Sequence, residues 1–204
     1  MAYLVLVRHG ESTWNAVNAW TGLTDISLNE KGYEIAKKDG EILKKIHFDI
    51  SFTSALRRAQ QTLTEIKKAI NRGDLPVIED KALNERDYGD LTGKNKLEVE
   101  KEYGEEQYLK WRRGWDEKIP HGETLKDVYE RVVPYYEQNI LPRIKEGKNV
   151  LISAHGNSLR ALVKYLENIS DEEIPNVELE TGEIYIYQMD ENGKIIAKEI
   201  KKPA

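Results

Sequence analysis

Short, unbroken apolar runs alternate along this chain with longer stretches in which apolar residues recur every three or four positions. The runs Tyr3–Val7, Asp49–Thr53, Pro76–Glu79 and Asn149–Ala154 read as strands, and those buried on both faces need no polar alternation. Near the C-terminus, Glu183–Met189 and Lys194–Ile200 predict a hairpin turning at Asp190–Gly193, with Asn192-Gly193 as its turn signal. Helices are expected between the strands. Ser27 and Glu30 are spaced as a capping box, and Leu28, Ile35, Ile42 and Ile46 then fall on one helical face. Leu56, Ala59, Leu63, Ile66 and Ile70 form a second stripe. A third helix begins at Thr124, with Asp127 as capping partner, and carries Leu125, Val128, Val132 and Tyr136; Pro134 and Pro142 should kink or divide it. Strands alternating with long helices predict an α/β chain, a three-layer α/β/α arrangement around a mostly parallel central sheet. No repeat, low-complexity tract or linker divides the sequence, so one domain over residues 1–204 is expected. Tyr88–Pro120 departs from the pattern. It is polar, with Tyr103, Tyr108 and Trp111 among its aromatics, and reads as an irregular insertion that caps the sheet.

Composition narrows the choice of partners. The 204 residues are 39% hydrophobic and 33% charged, enough for one sizeable core. A formal charge of −5 leaves no broad basic field, so neither nucleic acid nor a membrane surface is expected as partner. Any anionic ligand must be drawn by local arginines. The longest early apolar run, Tyr3–Val7, is too short for a secretory leader or a spanning helix. The chain has no cysteine, which excludes disulfides and thiolate metal sites, and a cytoplasmic location is the default expectation.

Two of the four histidines share one local setting. Tyr3–Val7 runs into Arg8-His9-Gly10, and Val150–Ala154 runs into His155-Gly156-Asn157, which opens a helix carrying Leu159, Leu162, Val163 and Leu166. Each histidine thus ends a buried strand and precedes a glycine that permits a tight turn. That edge of an open α/β sheet is where ligands bind, and the start of the following helix favours an anion. If the two strands are neighbours, His9 and His155 face each other across one crevice. A histidine can act as a nucleophile on phosphorus if one ring nitrogen is unprotonated and the other donates to an acceptor such as a backbone carbonyl. The transferring phosphoryl group then needs cationic donors, and with no metal-ligand motif in the sequence the arginines must supply them. Arg8 adjoins His9. Arg57 and Arg58 open a helix, where cations oppose the helix dipole unless an anion binds; Arg57 reads as a surface residue. Glu85 is the candidate acid and base, although most of the 36 acidic residues must be solvated. His47 and His121 lack the strand–glycine setting.

The segment Leu6-Val7-Arg8-His9-Gly10-Glu11-Ser12 resembles the Arg-His-Gly motif of the histidine phosphatase superfamily. Trp14-Asn15, Thr21-Gly22, Ser54–Ala59, Leu83–Arg86, Tyr88-Gly89 and Ala154–Arg160 are similar to the bisphosphoglycerate-dependent phosphoglycerate mutases within it. The resemblance implies that His9 is the phosphorylated nucleophile, that Arg8, Arg58 and His155 form the phosphate pocket, and that Glu85 moves the proton. It implies that Ser12, Asn15, Thr21, Gly22, Gly156 and Asn157 line the site. Tyr88, Lys96, Arg112 and Arg113 would then grip the part of the substrate that is not being phosphorylated. The activity implied is interconversion of 3-phosphoglycerate and 2-phosphoglycerate, primed by 2,3-bisphosphoglycerate and without a metal. The partner is a small phosphorylated substrate, and the resemblance allows a homodimer. The alternative is a histidine-dependent phosphatase acting on small phosphate monoesters. Two features depart from the family: Asp87 stands where histidine is common, and the segment Gly114–Gly122 is shorter than the loop of the long mutases.

Overall fold

The computed structural model describes residues 1–203. Six strands form one sheet: β1 (Ala2–Arg8), β2 (Ile50–Thr53), β3 (Val77–Glu79), β4 (Val150–Ala154), β5 (Ile184–Met189) and β6 (Ile195–Lys201). Their order is β3-β2-β4-β1-β5-β6; the first four run parallel, and the β5–β6 hairpin closes one edge antiparallel. The α-helices are α1 (Thr13–Ala16), α2 (Glu30–Leu43), α3 (Arg57–Ala69), α4 (Lys96–Tyr103), α5 (Glu105–Arg113), α6 (Leu125–Tyr135), α7 (Leu141–Lys145) and α8 (Gly156–Leu166).

The absence of polar alternation in β1 has a direct structural counterpart. Leu4 and Leu6 enter one core with Phe52, Ile152, Val128, Val132, Leu159 and Leu162, while Val5 and Val7 enter the other with Leu43, Leu63, Ile66 and Leu151. Helices therefore cover both faces, as the three-layer reading requires. β1 and β4 are adjacent and in register, with Arg8 opposite Ala154, and the His9 N–H donates to the Ala154 carbonyl at 3.0 Å. The two histidines that end these strands are consequently side by side.

Thr124 and Asp127 form the expected capping box at the start of α6. The helix passes Pro134, widens into a single π-helical stretch at Tyr136–Ile140 and resumes as α7 with Pro142 in its first turn. A proline lacks the N–H that an α-helix needs, and a local change of winding is one way to absorb that loss.

Two expectations are corrected. The start of α2 is capped by Asn29, whose Oδ1 accepts the Gly32 N–H at 2.8 Å, and not by Ser27. Leu28 is held extended by a bridge to Ser12, so the helix begins later. Its buried face is Gly32, Ala36, Asp39, Gly40 and Leu43, with Ile35 only half-buried. Small residues make the contact: a Cβ on Gly40 would come within 2.5 Å of the Ala69 Cβ on α3. The second correction concerns Tyr88–Pro120, which is ordered into helices α4 and α5 and is not irregular. These pack over a small core of their own, made by Trp20, Leu91, Val99, Tyr108, Trp111 and Ile119.

Candidate active site

His9 is 2% exposed, and its Nδ1 lies 2.7 Å from the Gly10 carbonyl. A carbonyl only accepts, so Nδ1 carries the proton and Nε2 presents a lone pair. Arg58, also buried, donates from Nε to that Nε2 at 3.3 Å, and its terminal nitrogens donate to the Thr24 and Gly22 carbonyls at 2.9 and 2.8 Å. Burial, then Arg58 and Arg8, hold the His9 pKa well below the ordinary value of 6.5. The imidazole is neutral at physiological pH, the form that a nucleophile requires. Backbone packing keeps it in place, since a Cβ on Gly10 would come 2.3 Å from the Gly32 carbonyl oxygen.

The His155 ring lies 5.0 Å from that of His9, tilted by 59°. Its Nε2 is 2.6 Å from the Ser54 hydroxyl, while its buried Nδ1 has no protein partner. Burial and Arg58 likewise push its pKa well below 6.5. Arg8 donates from one terminal nitrogen to the Leu179 carbonyl at 2.5 Å, and its buried Nε is also without a partner. Buried polar groups are normally satisfied, so two orphaned nitrogens beside one histidine mark a place prepared for a ligand.

Glu85 is 6% exposed and anchored through Oε1, which accepts the N–H groups of Arg86 at 2.8 Å and Asn157 at 3.1 Å. Asn157 also donates to the Tyr88 hydroxyl at 2.7 Å. One cleft is lined by Arg8, Glu85, Tyr88, Lys96, Arg112, Arg113, Gly156 and Asn157 among others. A second, smaller cavity is lined by His9, Asn15, Thr21, Gly22 and Arg58, and shares Arg8, Glu85, Tyr88 and Lys96 with the first. Gly156 matters for closeness here: a Cβ on it would be 3.4 Å from the Arg8 guanidinium carbon and 3.6 Å from Glu85 Oε2. Burial, then Arg112 and Arg8, bring the Lys96 pKa down to about 8.

Not every expected residue reaches the wall. Ser12 is fully buried and spends its hydroxyl on Asn15, donating to Oδ1 at 2.8 Å and accepting from the Asn15 N–H at 3.2 Å. It stands behind Asn15 and holds it. Arg57 is exposed and pairs with Asp25. His121 is exposed against Asp90, and His47 lies beside Arg72. Asp87 turns away from the cleft: its Oδ1 accepts the Gly89 N–H at 2.9 Å and so caps a turn.

Arg112 and Arg113 lie in the last turn of α5. Their long side chains converge from the last helical turn on one carboxylate, Glu178. Sequence reasoning missed Glu178, and it missed the three arginines that build the frame. Arg86 donates to the carbonyls of Glu123, Trp111 and Glu117. Arg131 donates to those of Ala82, Asn84 and Glu85. Arg160 donates to those of Val177, Arg113 and Ile174 and to the Asn157 side chain. Nothing local marks them, because their partners are carbonyls that only the fold brings near.

Residues 4–200 match the histidine phosphatase superfamily (branch 1). The chain belongs to that superfamily. As a histidine phosphatase superfamily member it is 50% identical over 201 residues to a 2,3-bisphosphoglycerate-dependent phosphoglycerate mutase of Beijerinckia indica, covering 98% of this chain and 97% of that one. It is 49% identical over 199 residues to a phosphoglycerate mutase of Schizosaccharomyces pombe, covering 97% and 94%. Among solved structures, the superfamily fold is shared with a mycobacterial glucosyl-3-phosphoglycerate phosphatase in complex with VO3, at a TM-score of 0.86, 22% identity and full coverage of both chains. At that identity the likeness concerns the fold alone.

Proposed function

We infer that this enzyme interconverts 3-phosphoglycerate and 2-phosphoglycerate through a phosphohistidine primed by 2,3-bisphosphoglycerate. The observation that carries the reading is that one cleft gathers Arg112 and Arg113, and the adjoining cavity with His9 and Arg58 shares Arg8, Glu85, Tyr88 and Lys96 with it. A ligand with two anionic groups can be held at both. The orphaned Arg8 Nε and His155 Nδ1 fit the oxygens of the reacting phosphoryl group. Relatives at about half identity across nearly the full chain carry the mutase name.

In the priming half-reaction, His9 Nε2 attacks phosphorus of the primer. The N–P bond forms, the ester P–O bond breaks, and Glu85 gives its proton to the departing alkoxide. Arg8, Arg58 and His155 stabilise the equatorial oxygens. In the second half, Glu85 takes the proton from a substrate hydroxyl, whose oxygen attacks the phosphorus on His9 while the N–P bond breaks. Isomerisation requires the bisphosphorylated species to turn over before it leaves, and Lys96, Arg112 and Arg113 are the residues placed to retain it. Among the described residues no helix is long and apolar enough to cross a membrane. By likeness to the glycolytic mutases we place the reaction in the cytoplasm.

The test supplies 3-phosphoglycerate with trace 2,3-bisphosphoglycerate and measures 2-phosphoglycerate and free phosphate together. Isomerisation should greatly exceed phosphate release and vanish in His9→Ala. Phosphate as the main product would make the chain a phosphatase of small phosphate monoesters.

A further inference from the structure

Glu178 is the least expected residue of the cleft. A site for an anionic ligand gains nothing obvious from a carboxylate at its centre, yet Glu178 lines the cleft together with Arg8, Lys96, Arg112 and Arg113. Its Oε1 is 3.4 Å from Arg112 Nη2, and its Oε2 accepts from Arg113 Nη2. Charge-assisted contacts of this type are among the stronger hydrogen bonds, and the geometry copies the way arginines hold a ligand's carboxylate or phosphate.

The backbone around it is pinned while the side chain is not. The Val177 carbonyl accepts from Arg160 at 2.8 Å, and the Leu179 carbonyl accepts from Arg8 at 2.5 Å. The Leu179 side chain is buried at 1% exposure. The Glu178 side chain is 39% exposed, with the arginine pair as its hydrogen-bonding partners. It can change rotamer without disturbing the strap that carries it.

We propose that Glu178 is a built-in competitor, a carboxylate that occupies the Arg112–Arg113 grip in the empty enzyme and must be displaced by the non-reacting anionic group of the substrate. The proposal rests on the mutase reading above, in which that pair holds this group. Such a residue neutralises clustered cations while the cleft is empty and sets how tightly the doubly anionic ligand is kept. By population arithmetic, a grip that is free about one tenth of the time weakens apparent affinity about ten-fold. A ligand that needs only the His9 end escapes this effect.

Calorimetric titration of the unphosphorylated enzyme tests it without turnover, with 3-phosphoglycerate and inorganic phosphate as separate probes. Glu178→Gln should bind 3-phosphoglycerate about ten-fold more tightly and inorganic phosphate less than two-fold more tightly. In an Arg112→Ala, Arg113→Ala background the same substitution should lose its effect, since there is no grip left to compete for. Unchanged or weaker binding of 3-phosphoglycerate by Glu178→Gln, in a protein whose wild type isomerises, would overturn the competitor and leave the mutase reading intact. If wild type and variant both bind phosphate but neither binds nor isomerises 3-phosphoglycerate, the mutase reading falls and takes the competitor with it. A gain that persists in the double-arginine background would also overturn it, because the effect would then be general electrostatics.

Discussion

At the scale of single residues, Glu85 is held in a geometry that suits the acid–base role proposed for it. Its Oε1 is held by two backbone N–H groups, so the carboxylate cannot swing away from the cleft. Glu85→Gln keeps the shape and an accepting oxygen but carries no transferable proton. Turnover should fall by roughly 10²–10⁴, the usual worth of general acid–base catalysis, while the melting temperature stays near that of the wild type. A variant with near-normal turnover would move the proton transfer to another group. The histidines were legible in the sequence because a buried strand ending in His-Gly is a local pattern. Glu85 was less so, since an acid's place depends on what folds around it. Arg86 and Arg160 close two of the motifs that carry the resemblance, but their framing role, like that of Arg131, was not legible, for a guanidinium's destination is a set of carbonyls distant along the chain.

At the scale of elements, the strands lay within one residue of their expected positions. For β1, β2, β4 and β5 this is because apolar runs report burial, whereas β3 and β6 are largely exposed and were marked by their β-forming residues and, for β6, by the hairpin turn. The helix α2 was harder. Its contacts with α3 and with the loop after β1 are made by Gly32, Ala36 and Gly40, whose lack of bulk carries no hydrophobic signal. The same face buries Asp39, at 0% exposure, with neither carboxylate oxygen hydrogen-bonded. Burial pushes its pKa up to about 8. The folded chain therefore keeps a proton that the unfolded chain releases near the ordinary aspartate value, and stability falls as pH rises between the two. The slope is about 1.4 kcal/mol per pH unit at most, and it flattens above the folded value. Asp39→Asn removes this dependence. Its stability advantage over the wild type should grow from pH 4 to pH 8 in denaturant titrations. Parallel stability curves for the two proteins would show that Asp39 is ionised in the fold.

The whole molecule carries a net charge of −5 and concentrates cations in one cleft. In the proposed reaction the charge that develops on the transferring phosphoryl group is met there by Arg8, Arg58 and His155, so activity should survive prolonged EDTA treatment followed by desalting. Loss of turnover that a divalent ion restores would contradict the arginine assignment.

Strand order has a further consequence, one of timing. β4 lies between β1 and β2, although β1, β2 and β3 all precede it in the chain. A nascent chain that has exposed everything up to α7 still has a slot in the middle of its sheet, edged by the unpaired backbone of two apolar strands. Val150–Ala154 must thread into that slot to bring His155 beside His9. Pairings so distant in sequence form late and slowly. His155 therefore comes beside His9 only when β4 closes the sheet, so the paired arrangement forms in the same step that completes the parallel core.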